Sequence, residues 1–143
     1  MPNPSATVTV TISNFVSVSS RLMLTTGTTP DASVSVSASG RIAKQHDGSL
    51  KVSGQNPDGT KGLDLSFAVL PATYAVIGIT ARTLSGPSTA WSNYKVKNDG
   101  TVTITDANPG PGSYEFYLLV QVASTGSATG QDFGLIDPQI TNS

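Results

Sequence analysis

Apolar residues recur at every second position along most of this chain, and this period of two constrains its fold more than any other feature. In residues 7–12 valines and an isoleucine alternate with threonines, and Leu63, Leu65, Phe67 and Val69 alternate in the same way with polar or small residues. Successive side chains of a strand point to opposite faces, whereas a helix repeats every 3.6 residues. The pattern predicts strands with one buried and one wet face, and no segment has helical periodicity with caps.

Turn-forming residues divide these runs into about eight to ten short strands. The dipeptides Asp47-Gly48 and Asp99-Gly100 predict tight hairpins, because glycine adopts a positive φ without strain. Residues 55–62 combine Asn, Pro, Asp and Gly and predict a surface loop. Short strands with turn signals at short intervals favour a sandwich over a barrel.

Two strands after this loop, 63–69 and 74–83, are predicted to form the centre of the core. Gly78 lies inside the second strand and indicates a bulge or a close contact. A corner rich in Pro and Gly follows at 106–113, and an apolar strand begins at Tyr114. This order resembles the tyrosine corner of Greek-key sandwiches, in which the hydroxyl group ties the start of the strand to the preceding connection.

The closing segment, 133–140, predicts a last strand that Asp137 and Pro138 interrupt. Proline lacks a donor and aspartate accepts local hydrogen bonds, so the pair predicts a bend at an edge position or a bulge. Residues 16–24 predict further strand segments with no readable register, and 124–131 predict a Gly/Ser turn.

The expected architecture is therefore a single domain, 1–143, with an all-β, antiparallel, immunoglobulin-like sandwich and Greek-key connections. A chain of 143 residues is long enough for one core and too short for two ordinary domains. Alternating Ser and Thr between the apolar positions suits wet sheet faces.

Composition excludes several classes of function. The chain has no Cys, which excludes disulfides, zinc knuckles and thiol chemistry and favours a cytoplasmic location, with secretion open if a leader was removed. The eight Lys and Arg residues are scattered and balanced by acids, so we expect no nucleic-acid partner. No apolar run approaches the roughly 20 residues of a membrane helix, and we expect no membrane partner.

No catalytic group stands out in the sequence. His46 is the sole imidazole, and a hairpin tip encloses a catalytic base poorly. No Gly-x-Ser-x-Gly elbow is present, and the Asp-Gly turns lack the alternating oxygen ligands of a calcium loop. We predict no enzyme activity, no cofactor and no metal, although a pair of carboxylates meeting in space would be invisible in the sequence.

Two functions remain. Charged residues make up 12% of the chain, and unprotected strand edges with little charge favour self-association or protein binding. The alternative is a carbohydrate-binding or adhesin-like module, in which Trp91, Tyr94 and Tyr74 form an aromatic platform for a sugar ring. A core position for Trp91 is the favoured interpretation, and the platform would require this side chain to be exposed.

The carboxyl-terminal third carries a resemblance to known families. Residues 112–116 read Gly-Ser-Tyr-Glu-Phe, a Gly-rich turn follows, and residues 134–140 read Gly-Leu-Ile-Asp-Pro-Gln-Ile. A Gly-x-Tyr-x-Phe strand followed by a final strand with Asp-Pro and an apolar residue resembles the bacterial DP-EP family of β-sandwich proteins and, more distantly, the PixA-like inclusion-body proteins. The resemblance implies an immunoglobulin-like fold and a bacterial origin, and it implies no catalytic residues.

Overall fold

The computed structural model describes residues 3–15, 24, 31–36, 41–122 and 133–143. Within these ranges the chain forms eleven strands and no helix. The predicted segments 16–23 and 124–131 lie outside the described residues. The strands are β1 (Ser5–Ile12), β2 (Ala32–Val36), β3 (Ile42–Lys44), β4 (Leu50–Val52), β5 (Leu63–Leu70), β6 (Tyr74–Ser85), β7 (Trp91–Val96), β8 (Val102–Asp106), β9 (Gly112–Val122), β10 (Phe133–Ile136) and β11 (Gln139–Asn142).

The strands form two mixed sheets in a sandwich-like arrangement. The first sheet has the order β2-β1-β5-β8-β7. In the second sheet β9 is central: β6 pairs with one side of it, while β10 and β11 lie end to end along the other side, followed by β4 and β3. The edge strands β6 and β7 of the two sheets contact each other on one side of the molecule.

The expectation of purely antiparallel sheets was wrong. Strand β1 pairs in parallel with β5 along its length, from Ser5 opposite Asp64 to Thr11 opposite Leu70, and β4 pairs in parallel with β11. Both parallel pairs join strands that are far apart in the sequence, so long connections can return the chain in the same direction. Alternation defines the faces of a strand and carries no information about the direction of its neighbour.

Both predicted hairpins are confirmed. The turn at Asp47-Gly48 joins β3 to β4, and the turn at Asp99-Gly100 joins β7 to β8. Gly48 and Gly100 have φ values of 87° and 85°, in the region that glycine adopts freely. Each aspartate also accepts hydrogen bonds at one carboxylate oxygen from the backbone N–H and hydroxyl of the residue two positions on, which fixes the turn locally.

The inner faces of the sheets form one apolar core. Every second residue from Gly112 to Val120 in β9 is buried, and Phe116 of this strand contacts Phe67 of β5 across the sheets, with ring centroids 5.8 Å apart. The prediction that β6 lies at the core centre was wrong, because among the described residues β6 pairs on one side only, with β9. At Gly78 the sequence indicated a bulge or a close contact, and the structure has a register shift between Val76 and Gly78, as a bulge produces.

Candidate functional site

Trp91 lies in the core at the start of β7. Its side chain is 8% exposed, and its ring makes edge contacts with Phe116 and Tyr114 at centroid distances of 4.6 and 5.4 Å. Edge-to-face packing of this kind is favourable because the positive edge of one ring meets the negative face of another. The indole is therefore covered by protein, whereas a sugar platform needs an exposed ring face.

The other two residues of the predicted platform occupy different environments. Tyr94 is 47% exposed on β7, and partial burial raises the pKa of its hydroxyl group. Tyr74 is half-buried at the start of β6 and stacks on Phe15, with centroids 5.3 Å apart. The three aromatic side chains do not share one exposed face, because Trp91 is enclosed.

Tryptophan fluorescence tests this placement directly. The chain contains one Trp, so we expect a blue-shifted emission maximum that acrylamide quenches weakly, as for an indole in an apolar environment. Unfolding in urea should shift the emission to the red and expose the indole to the quencher, which provides the control. A red-shifted, readily quenched signal from the folded protein would contradict the burial and favour the sugar platform.

Tyr114 is fully buried, and its hydroxyl group donates a hydrogen bond of 2.6 Å to the carbonyl oxygen of Pro87. Pro87 belongs to the connection between β6 and β7, so the bond does not join the strand to its preceding connection as the sequence led us to expect. A Cβ atom on Gly112 would lie 2.5 Å from this hydroxyl oxygen and 2.9 Å from the carbonyl oxygen of Ser85. Glycine at 112 therefore leaves the space that Tyr114 and the β6–β7 connection occupy.

Asp137 and Pro138 separate β10 from β11. Pro138 lies in the break, where its carbonyl oxygen accepts a hydrogen bond of 2.9 Å from the N–H of Phe116, so the missing proline donor disrupts no pairing. Strand β11 lies between β9 and β4 and is not an edge strand. Burial and the nearby charge of Glu115 raise the pKa of the half-buried Asp137.

A buried polar cluster surrounds Asp106 at the end of β8. The Asp106 carboxylate is fully buried, and its Oδ1 atom accepts hydrogen bonds of 2.9 Å from the backbone N–H of Asn108 and from Nδ2 of Asn142. Burial raises the pKa of Asp106 to about 6, against the lowering effects of these two bonds and of the Arg41 charge. Trp91 is the register partner of Asp106 on β7, so the cluster joins β7, β8, β11 and the β8–β9 connection.

Arg41 fixes the loop between β4 and β5 to this end of the sandwich. Its side chain is 7% exposed, and its guanidinium donates to the carbonyl oxygens of Ser53 and Lys61 at 2.8 and 2.9 Å. It also donates to Oδ1 of the buried Asn56 at 2.6 Å. A planar group with five N–H donors can bind several carbonyl oxygens at once, which an ammonium group cannot do in the same geometry.

A second feature is a set of exposed apolar side chains on the edge strands β6 and β7, here called the open side and defined as Leu84 of β6 with Tyr94 and Val96 of β7. These three residues are 42%, 47% and 53% exposed and, with Leu70, make up the large exposed apolar side chains of the described residues. Val96 is paired with Val102, which is fully buried. Because directly opposite residues share a face, Val96 points to the core side and yet remains exposed.

The other candidate groups are dispersed. His46 is exposed at the β3–β4 hairpin tip. Among the residues that the structure describes, no three His, Cys, Asp or Glu side chains meet in a way that could hold a metal ion. Over the same ranges, no helix is long and apolar enough to span a membrane.

Sequence reasoning missed both the polar cluster and the open side. Asp106 and Asn108 were assigned to a corner, and Asn142 and Arg41 carried no motif. Their burial depends on contacts such as that between Asn142 and Asp106, which are 36 positions apart. Val96 lies beside the hairpin turn predicted at Asp99-Gly100, but alternation does not show whether another element covers an inward-facing side chain.

Comparison with known proteins supports the fold. No protein-family model matches the sequence, and no curated protein matches it. The chain is similar in structure to a solved inclusion body protein, PixA, from Burkholderia cenocepacia J2315, with a TM-score of 0.57 over 100% of this chain and 98% of that one. The identity is 12%, so the similarity shows a shared fold.

Proposed function

We propose that this protein is a non-enzymatic β-sandwich that associates with copies of itself through the open side. The observation that carries the proposal is the exposure of Val96, an apolar side chain on the core face of an edge strand. Leu84 of β6 and Tyr94 of β7 are further exposed apolar side chains on the two edge strands. Burying such side chains against a second molecule is favourable by roughly 25 cal/mol per Å² of apolar surface.

We expect apolar side chains, rather than backbone hydrogen bonds between edge strands, to form this contact. Strand β7 has a free outer edge within the described part of the chain, which is the usual template for adding a strand. However, its ladder shifts register between Ser92 and Lys95, and Asn93 has a φ of 57°. Bulges and lysines are the features that discourage edge-to-edge pairing. The proposed contact is therefore reversible association of apolar side chains.

The similarity in fold to a solved protein also supports self-association. The structural neighbour is named an inclusion body protein, and the low charge of this chain, 12% of residues, reduces the repulsion between copies. The proposal includes an immunoglobulin-like Greek-key topology and a cytoplasmic, bacterial setting. The topology is supported by the two-sheet architecture, and the cytoplasmic setting by the lack of Cys.

Sedimentation and light scattering test the proposal over about a hundredfold range of protein concentration. We expect the average mass of the wild type to rise above the monomer mass of 14.7 kDa as concentration increases. Val96→Lys places a charge in the contact and should leave a monomer over the same range. Leu70→Lys is the matched control, because Leu70 is 48% exposed and lies outside the open side.

A wild type that stays monomeric throughout would overturn the proposal. Equal loss of association in the Val96 and Leu70 variants would also count against it, because the effect would then come from added charge alone. Circular dichroism of both variants should match that of the wild type, since each substitution replaces a side chain that is already largely in water.

A further inference from the structure

Asp106 and three residues beside it, its register partner Trp91 and its hydrogen-bond partners Asn108 and Asn142, carry five buried side-chain atoms that have no hydrogen-bond partner among the protein atoms of the described residues. They are Nε1 of Trp91, Oδ2 of Asp106, both amide atoms of Asn108, and Oδ1 of Asn142. Buried polar groups in folded proteins nearly always have a partner, because an unpaired group has lost its hydrogen bonds to water without replacing them. Five such atoms on four neighbouring residues indicate that another molecule completes this polar cluster.

The chemistry of these atoms restricts what that molecule is. The set contains two donors, the indole N–H of Trp91 and the amide group of Asn108, together with three acceptor oxygens from Asp106, Asn108 and Asn142. A cation would satisfy the oxygens and be repelled by the two donors. The Arg41 guanidinium also already acts on the Asp106 carboxylate as its positive counterpart. A small neutral molecule that donates and accepts is required.

We propose that this cluster is a built-in water site, in which one or two internal water molecules bridge Trp91, Asp106, Asn108 and Asn142. A buried water typically makes about three hydrogen bonds to groups that would otherwise be unpaired. Asp106 Oδ1 is already used by the Asn108 N–H and by Asn142, so Oδ2 is the acceptor left for water.

The waters complete the connection between distant segments. Trp91 is in β7, Asp106 ends β8, Asn108 follows it, and Asn142 is near the end of β11. A bridge among these four residues fixes the end of the last strand to the corner that precedes β9. The proposal does not depend on self-association, since none of these residues belongs to the open side.

The single Trp makes the test specific, because its indole N–H gives one resolved signal in a spectrum of the nitrogen-15 labelled protein. We expect cross-peaks between water and this proton with opposite signs in NOE and ROE experiments, which identify a bound water rather than proton exchange. The indole proton should also exchange slowly with deuterium. The backbone N–H of Leu118, in the middle of β9 and fully buried, is the control and should show no water cross-peak.

Two results would overturn the proposal. A protected indole proton with no water cross-peak would mean that Trp91 donates directly to a protein oxygen, such as that of a rotated Asn108 amide. A shift of the indole signal on adding Na⁺ or Ca²⁺, absent for Mg²⁺ and for matched ionic strength with choline chloride, would identify a cation instead. We expect all of these salts to leave the signal at the same position.

Discussion

Replacing Arg41 with alanine should lower the free energy of unfolding by about 3 to 5 kcal/mol, the range for removing one partner of a buried charge network. The substitution leaves the carbonyl oxygens of Ser53 and Lys61 and the amide of Asn56 without their donor. It also removes the positive charge that acts on Asp106. Urea denaturation followed by Trp91 fluorescence would measure the loss.

Two further variants make this result interpretable. Arg41→Lys keeps the charge but cannot reach several acceptors at once, so its loss should be smaller than that of alanine and still clear. Arg82→Ala removes an exposed arginine from β6 and should cost under about 1 kcal/mol. If Arg41→Ala costs no more than Arg82→Ala, the guanidinium does not hold the β4–β5 loop.

Replacing Asp106 with asparagine should remove most of the pH dependence of stability between about pH 4.5 and 7.5. The folded-state pKa of Asp106 is about 6, above its ordinary value of 3.8. The folded protein therefore holds this proton more tightly than the unfolded chain does. The stabilisation that this proton gives the folded protein is complete below the pKa of Asp106 in the unfolded chain. It is lost as the pH rises through the pKa of Asp106 in the folded protein.

For a single group with these two pKa values, the wild type should gain about 2 kcal/mol when the pH falls from about 7.5 to about 4.5. The asparagine amide does not titrate, so the stability of Asp106→Asn should change much less over this range. The amide also keeps an oxygen to accept from Asn108 and Asn142 and carries no buried charge, so the variant should be more stable than the wild type at the higher pH. Urea denaturation at both pH values measures the difference.

Asp58→Asn is the control for this experiment. Asp58 is exposed, and hydrogen bonds from Thr60 lower its pKa, so it titrates below the tested range. The variant should therefore show the same gain on acidification as the wild type. Parallel profiles for the wild type and Asp106→Asn would show that Asp106 does not have a raised pKa in the folded state.

The candidate sites were predictable only in part. The sequence favoured a core position for Trp91, and self-association followed from the low charge of the whole chain. Neither the exposure of Val96 nor the burial of the Asp106 cluster was predicted, because both properties depend on which strands pack beside these residues. The hydroxyl group of Tyr114 was expected to bond to the connection that precedes its strand. It bonds instead to Pro87, which is 27 positions away in the sequence.

What the sequence alone determined was local: strands from the period of two, hairpins from Asp-Gly, and an irregularity in the strand at Gly78. These features depend on the φ preferences of single residues and on which face each side chain takes, both of which are set by near neighbours. Tertiary structure alone decided the parallel pairing of β1 with β5, the edge position of β6 and the burial of Asp106. These features depend on contacts between distant segments, whose direction and order a pattern of alternation leaves open.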